Sequence, residues 1–370
     1  MKIGLLGAGR LGICLALLLE KVGYEVMASD IREDYILQLQ NKVIDTNEPL
    51  VQEMLSESKN ITFTTGNLDV IEECDIIFTM VATPSLPDGS YDVSAVRQVI
   101  RDVKCCDLDV SGKTLVVGCT TNPGDCDDFQ NHLKKIGVSV IYNPEFIAQG
   151  SIISDLRYAD MVLIGGEGDH LETLCEMYHS IQLTTPSIHI MSTKAAELVK
   201  LAVNCFLTTK ISYANMIGQV MTKSGMGDEI DTVLDAIGSD TRVGKKYLKY
   251  GFGFGGPCLP RDNRAFAATA EHLGLKYNLG YVTDSFNKEH HQFLLDSYVN
   301  DNPMGCPFAF ESVAYKKGTD IITESQQYRL CLGLLDLGYD VYVVDDVVKH
   351  QCDSRIKWGS PEEKVIWIGS

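Results

Sequence analysis

The first thirty residues constrain the fold more tightly than any other stretch of the chain. Ile3-Gly-Leu-Leu6 reads as a short buried strand, followed by a turn that contains Gly7, Gly9 and Gly12. An apolar helical run from Leu15 to Leu19 comes next and is closed by Gly23; Val26-Met-Ala-Ser-Asp30 then reads as a second strand ending in a carboxylate. A G-x-G-x-x-G turn between a strand and a helix predicts a dinucleotide-binding βαβ unit. The glycines permit the tight turn and let a pyrophosphate lie against the N–H groups at the helix N-terminus. Arg10 and Leu11 belong to the same turn, so Gly7, Gly9, Arg10, Leu11, Gly12 and Asp30 are the candidate cofactor contacts. Asp30 is placed to accept hydrogen bonds from ribose hydroxyls and to repel a 2′-phosphate, which points to NAD, although Arg32 leaves NADP open. Bound NAD makes hydride transfer the expected chemistry.

The strand-and-helix alternation continues. Asp75-Ile-Ile-Phe-Thr-Met-Val81, Thr114-Leu-Val-Val-Gly118 and Val138-Ser-Val-Ile141 read as buried strands separated by helical stretches. That pattern predicts a parallel sheet covered on both faces. From Thr193 to about Lys223 apolar residues recur at helical spacing with no glycine or proline before Gly218, which predicts one long helix or two joined end to end. Leu332-Gly-Leu-Leu-Asp-Leu-Gly338-Tyr-Asp-Val-Tyr-Val-Val-Asp345 echoes Leu17-Leu-Leu-Glu-Lys-Val-Gly23-Tyr-Glu-Val-Met-Ala-Ser-Asp30, a helix closed by glycine and then a strand. The expected class is α/β. A Rossmann-type doubly wound domain spans residues 1–192 and a central helical domain 193–300; a smaller Rossmann-like domain over 301–370 stops soon after the strand Val365-Ile-Trp-Ile368.

A net charge of −18 argues against a nucleic-acid partner, because phosphate contacts need a basic face. A polyphosphate ligand then needs a local positive cluster, which Arg242, Lys245, Lys246 and Lys249 supply. Twelve cysteines lack any framework spacing, and Met1-Lys2 leads directly into the first strand without a signal sequence. The thiols are expected to be reduced in a cytoplasmic protein. No apolar run approaches the roughly 20 residues of a membrane span, and neither a membrane partner nor a bound metal is expected.

The segment Gly251-Phe-Gly-Phe-Gly-Gly-Pro-Cys258-Leu-Pro-Arg-Asp262 crowds four glycines before a cysteine. Glycine allows positive φ and close backbone approach. A cysteine presented in this way is a candidate nucleophile toward a carbonyl.

Together with the first domain, these residues resemble the UDP-glucose/GDP-mannose dehydrogenase family nearly end to end. Val81-Ala-Thr83-Pro-Ser-Leu-Pro-Asp88-Gly-Ser-Tyr-Asp92 is similar to its Thr-Pro…Asp-Gly…Asp segment, and Thr120-Thr121-Asn-Pro123-Gly124 to its Ser-Thr-Val-Pro turn. Asn143-Pro-Glu145-Phe-Ile resembles its Asn-Pro-Glu-Phe, and Ala196-Glu197-Leu-Val-Lys200-Leu-Ala-Val-Asn204 its long-helix signature. Ala314 to Ser325 is similar to the opening of its third domain. The resemblance implies a four-electron oxidation of the C6 alcohol of a nucleotide sugar, most readily UDP-glucose, with two NAD reduced.

By the same resemblance, Cys258 forms a thiohemiacetal and then a thioester. Lys200 and Asn204 stabilise the oxyanion, and Asp262 orients Lys200 or moves a proton. Thr121 holds a water or the nicotinamide region, Thr83 contacts the cofactor, and Glu145 serves as base for thioester hydrolysis. Phe146, Lys249, Phe254, Gly255 and Lys316 join Glu145, Lys200 and Asn204 at the substrate. Arg242 reaches the neighbouring subunit's substrate in a homodimer built on the long helix. Glycines 253, 255 and 256 are expected to pack against the nucleotide. The chain departs from the family pattern at Gln149 (a second glutamate), Pro257 (a small polar residue), Arg261 (a lysine), Thr323 (an arginine) and in its short third domain. GDP-mannose or a UDP-N-acetylhexosamine as substrate, a two-electron hydroxyacid dehydrogenase and a weakened nucleotide-sugar-binding paralogue stay open as alternatives.

Overall fold

A computed structural model describes residues 1–369, so Ser370, the last residue of the expected third domain, lies outside the described residues. The chain divides into two compact units, Met1–Lys200 and Leu201–Ser370, and the division falls inside one helix, Thr193–Lys223. This helix is continuous over 31 residues, about 46 Å at 1.5 Å per residue.

In the first unit eight strands form one sheet: β1 (Lys2–Leu6), β2 (Glu25–Ser29), β3 (Ile61–Thr64), β4 (Ile76–Thr79), β5 (Thr114–Val117), β6 (Ser139–Tyr142), β7 (Met161–Gly165) and β8 (Ser187–Met191). Their order is β3-β2-β1-β4-β5-β6-β7-β8. β1 to β6 are parallel, and β1 pairs with both β2 and β4, with Ile3 opposite Val26 and Ile76. Strand order therefore reverses at β1 and β4, and in such sheets ligands bind beyond the carboxyl ends of the strands at the reversal. Every residue of β4 and β5 is buried, as a sheet covered on both faces requires.

The sheet is not parallel throughout. β7 joins β6 antiparallel through Tyr142 opposite Gly165, and β8 runs parallel to β7. The connection between β6 and β7 holds one helix, Ile152–Arg157, of six residues.

In the second unit, β9 (Phe308–Phe310), β10 (Val341–Val343), β11 (Lys357–Trp358) and β12 (Ile366–Ile368) form a parallel sheet in the order β11-β10-β9-β12. The internal echo in the sequence is structural. Gly23 and Gly338 both adopt positive φ (101° and 90°) after their helices, and Tyr24 and Tyr339 donate back to Leu19 and Leu334 at 3.1 Å. The two helices thus close with the same glycine motif, which satisfies their last carbonyls. The small sheet's core centres on Phe308, packed edge-on against Tyr298 and Tyr339 with ring centroids 6.4 and 5.1 Å away. No helix among the described residues is long and apolar enough to cross a membrane.

Phe308 is fully buried, so Phe308→Ala is expected to cost about 3–5 kcal/mol. The denaturation midpoint of the second unit, followed by near-ultraviolet dichroism, is the measurement; an unchanged midpoint would remove Phe308 from the core account.

Candidate active site

The turn after β1 has the shape its glycines predict. Gly7 has φ 103°, and a Cβ there would lie 2.7 Å from the Met80 carbonyl oxygen. A Cβ on Gly12 would stand 2.1 Å from the Gly7 carbonyl oxygen, so the helix Arg10–Lys21 approaches the turn only because residue 12 lacks one. Gly9 differs: the nearest atom to a Cβ there is Arg32 Nη2 at 3.9 Å, so the space above the turn is open. No side chain caps this helix and no acidic residue sits in its first turn, which Arg10 and Leu11 open, both half-buried. An anionic diphosphate fits such a helix N-terminus. Asp30, at the end of β2, is buried and gripped by Arg32, whose Nε and Nη2 donate to its two oxygens at 2.8 and 2.9 Å. Burial alone would raise its pKa, but the Arg32 hydrogen bonds and charge outweigh that and hold the carboxyl below the usual range. Any ribose hydroxyl bound by Asp30 therefore shares it with a guanidinium, which itself lies 4.1 Å over the Tyr35 ring.

Two loops beyond β4 and β5 are stitched together by Asn122. Its Oδ1 accepts from the Tyr91 N–H and its Nδ2 donates to the Tyr91 carbonyl, at 2.8 and 2.9 Å. Thr83, buried, belongs to the first of these loops, and Thr121 to the second. Thr121 Oγ1 donates at 2.8 Å to Glu197, a fully buried carboxylate of the long helix. Glu197 also accepts from the backbone N–H groups of Gly124 and Cys126, at 2.6 and 2.9 Å, at the start of helix Asp125–Leu133. Burial raises the Glu197 pKa, and these hydrogen bonds oppose the rise.

Glu145 follows β6 in the Asn-Pro-Glu-Phe segment. Its Oε1 lies 2.5 Å from the Tyr178 hydroxyl. Dehydration by the surrounding protein pushes its pKa up to about 7, against the Tyr178 hydrogen bond and the Lys200 charge, which lower it. Lys200 is itself buried; its Nζ donates to the Glu145 carbonyl at 2.8 Å and stands 4.7 Å from the centre of the Phe146 ring. Gln149 sits in a segment fixed by two other carboxylates, with Glu48 accepting from the Gly150 N–H at 2.5 Å and Asp155 from the Ala148 N–H at 2.8 Å.

In the second unit, Cys258 is half-buried at the N-terminal end of the 14-residue helix Leu259–His272, where N–H groups and the helix dipole favour negative charge. One turn on, the Asp262 carboxylate is buried and accepts a hydrogen bond from Asn204 Nδ2. Asn263, beside it, accepts from Thr208 Oγ1 and donates to the Gly280 carbonyl, both at 2.8 Å. The backbone ahead of the cysteine is clamped by three side chains. Asn215 accepts from the Gly251 N–H at 3.0 Å and donates to the Phe252 carbonyl at 3.2 Å. Asn287 does the same for the N–H and carbonyl of Phe254, at 3.0 and 2.9 Å. His290 Nε2 donates to the Gly251 carbonyl at 2.7 Å, and its Nδ1 accepts from Gln219 at 2.8 Å. Burial holds His290 below its ordinary pKa, and the Gly251 hydrogen bond only partly opposes this.

The loop glycines meet protein. A Cβ at Gly253 would stand 2.0 Å from Asn287 Oδ1, at Gly255 2.4 Å from the Glu324 carbonyl oxygen, and at Gly256 2.4 Å from the Tyr315 ring. Their small size therefore lets the loop pack closely against these groups. Phe254 is buried, so what it presents depends on the shape of the loop. The basic cluster is exposed but partly neutralised: Arg242 pairs with Asp240 and Lys245 with Asp235, while Lys249 and Lys316 are exposed. Among the described residues no cluster of His, Cys, Asp or Glu could hold a metal ion.

Sequence reasoning missed Glu197, Tyr178, Asn215, Asn287 and His290 as site-shaping residues. The signal was present for most of them, as polar residues on helix positions that the apolar period assigns to the core.

The model of the NAD-binding domain of the UDP-glucose/GDP-mannose dehydrogenase family matches residues 1–182, and the model of its central domain matches residues 194–289. A provisionally named UDP-glucose 6-dehydrogenase of Bacillus subtilis is 31% identical over 93% of this chain and 81% of its own length. A UDP-glucose 6-dehydrogenase of Pseudomonas aeruginosa is 28% identical over 94% and 79%. The structure of a UDP-glucose dehydrogenase from Pyrobaculum islandicum aligns with a TM-score of 0.87 at 26% identity, covering 97% of this chain and 86% of that one.

Asn287→Ala strands two buried backbone groups of Phe254, and Gly253→Ala drives a methyl into Asn287 Oδ1. Each is expected to lower stability by about 2 kcal/mol or more. Thermal unfolding at wild-type midpoints for both variants would refute the clamp.

Proposed function

The chain belongs to the UDP-glucose/GDP-mannose dehydrogenase family, and we propose that within it the protein oxidises the C6 alcohol of UDP-glucose to UDP-glucuronate. The chain is an NAD-dependent oxidoreductase of the nucleotide-sugar 6-dehydrogenase class. The choice of UDP-glucose is supported by the names of its relatives, and the covalent route by one observation: Cys258 at a helix N-terminus, on a clamped glycine loop, one turn from the Asn204–Asp262 pair.

NAD, when bound at the Gly7–Gly12 turn, supplies the hydride acceptor, and two such transfers account for the four electrons. Lys200 and Asn204, four apart on the long helix, offer positive charge and N–H donors to oxygen at C6. Asp262 holds the Asn204 amide by accepting one of its hydrogens. Cys258 Sγ adds to the C6 aldehyde, forming a C–S bond while the thiol proton ends on the carbonyl oxygen. Loss of hydride from C6 and of that hydroxyl proton turns this thiohemiacetal into a thioester. Water then attacks, the C–S bond breaks, and the acid leaves with the thiol restored. Glu145 takes the proton of the attacking water, a role that a carboxyl titrating near neutrality suits. Thr121 has its hydroxyl hydrogen committed to Glu197, which leaves its oxygen as an acceptor toward a water or the nicotinamide region.

Arg242, Lys249, Lys316, Phe146 and the Gly255 backbone complete the proposed substrate contacts. The working domains in this reading are residues 1–192 for NAD, 193–300 for catalysis and dimerisation, and 301–370 for the nucleotide sugar. A homodimer through the long helix is supported by its exposed apolar side chains, among them Phe206 (64% exposed), Tyr213, Met216 and Val220 (55%). A cytoplasmic setting is supported by twelve cysteines of which none forms a disulfide.

Cys258→Ser is expected to abolish formation of the uronate, assayed as product acid and as two NADH per UDP-glucose; undiminished turnover would sink the covalent route. GDP-mannose and UDP-N-acetylmannosamine run in parallel decide the sugar. In single-turnover hydrolysis of the thioester, the rate should fall about tenfold per pH unit below about 7, as Glu145 becomes protonated and loses its role as base. A pH-independent rate from 5 to 8 would remove Glu145 as the base. The stability effect has the opposite sense. The folded pKa lies above the ordinary 4.5, so this group's contribution is fully present below pH 4.5 and lost as pH rises through about 7. Urea unfolding of wild type and Glu145→Gln across this range reads the difference.

A further inference from the structure

Glu145 has a partner that carries no known motif. Tyr178, on helix Leu171–Ile181, is 2% exposed, and its hydroxyl lies 2.5 Å from Glu145 Oε1 and 2.6 Å from Asn143 Oδ1. A phenol has one hydrogen to donate. The Asn143 amide presents only its oxygen to the phenol, because its Nδ2 is directed at the Leu163 carbonyl, to which it donates at 2.9 Å. With Glu145 ionised, two acceptors therefore compete for one hydrogen, and the charged one makes the stronger bond. With a proton on Glu145 Oε1 the same three groups form a complete chain: Glu145 donates to Tyr178, and Tyr178 donates to Asn143. Asn143 and Tyr178 are both buried, so neither can turn to bulk water instead.

We propose that Tyr178 is a positioning residue for Glu145, its hydroxyl turning from Asn143 to the carboxylate when Glu145 gives up a proton and back again when it takes one up. The inference rests on the reading of Glu145 as the hydrolytic base and deepens it. Such a base must gain and lose a proton in every turnover, and a partner able to donate or to accept keeps its carboxyl anchored in both states. The arrangement also supplies the charged carboxylate with a donor, which offsets part of its dehydration. The other charged group bearing on Glu145 is Lys200 of the long helix, which donates to the Glu145 carbonyl and whose charge also favours the ionised form. Dehydration is the larger influence and acts in the opposite direction.

The test is an infrared titration of the Glu145 carboxyl in the full-length protein, the band being assigned by its loss in Glu145→Gln. The wild-type midpoint is expected near pH 7. In Tyr178→Phe the carboxylate loses its donor, and the midpoint should rise by half a unit or more. A protein carrying 3-fluorotyrosine at position 178 keeps the ring's shape but donates more strongly, and its midpoint should fall. Opposite shifts of these signs support the proposal; unchanged midpoints, shifts in one common direction or reversed shifts overturn it. Where Tyr178→Phe does not fold, the fluorotyrosine protein decides alone, a lowered midpoint supporting the proposal and any other outcome overturning it. A role in packing alone would leave the fluorotyrosine midpoint at the wild-type value. Thioester hydrolysis at wild-type rate in Glu145→Gln would refute the base reading, while the titration would still report on Tyr178.

Discussion

One face of one helix carries a stripe of polar side chains on which loops of both units depend. Within Thr193–Lys223, Glu197, Lys200, Asn204, Thr208, Asn215 and Gln219 fall within an arc of about 100° at 3.6 residues per turn. Each is satisfied by a group that matters: Glu197 by Thr121 and two backbone N–H groups, Lys200 by the Glu145 carbonyl, Asn204 by Asp262. Thr208 meets Asn263, Asn215 the backbone of residues 251 and 252, and Gln219 His290. A polar group removed from water must find a partner or cost stability, so each of these contacts also fixes a register. The stripe therefore stabilises the fold and sets the geometry with the same bonds, and the opposite face of the helix, left apolar and exposed, is available for association.

The two glycine clusters solve different problems. In the turn after β1, Gly7 and Gly12 let backbone meet backbone, and the open space above Gly9 leaves a helix N-terminus accessible to an anion. In the cysteine loop the space that glycine vacates is filled by Asn287, the Glu324 carbonyl and Tyr315. There the small residues buy rigidity, since a loop whose N–H and C=O groups are bonded to buried asparagines has few alternative conformations. A nucleophile on such a loop is positioned before substrate arrives, which is the condition for effective use of proximity.

Replacement of the family's second glutamate by Gln149 leaves Glu145 as the carboxyl of that segment that titrates near neutrality. Glu48 and Asp155 flank Gln149, but both are occupied in holding backbone N–H groups of the same loop. The Tyr178 and Lys200 contacts that tune Glu145 therefore carry weight in this region.

Much of this was legible in the residue order. Period and punctuation marked β1, β2, β4, β5, β6, β10 and β12, the helical run from Thr193 to Lys223 and the glycine-closed helix ends, because burial on both sheet faces and positive φ each restrict the choice of residue strongly; β3, β7, β8, β9 and β11 went unmarked. The G-x-G-x-x-G turn with Asp30 pointed to NAD, and the separated motifs pointed to the family that the comparisons show. Other features needed tertiary structure because they depend on distance between residues far apart in the chain. The antiparallel join of β7 to β6 through Tyr142 and Gly165 is a pairing that the strand-and-helix alternation did not distinguish from a parallel one. The packing of the loop glycines against Asn287, the Glu324 carbonyl and Tyr315 follows from neighbours that lie 30 to 70 residues away in the chain. The asparagine and histidine clamps, and the Tyr178–Glu145–Asn143 group, could not be read in advance, because a polar residue on a helix shows its chemistry only once the fold has chosen the acceptor it faces.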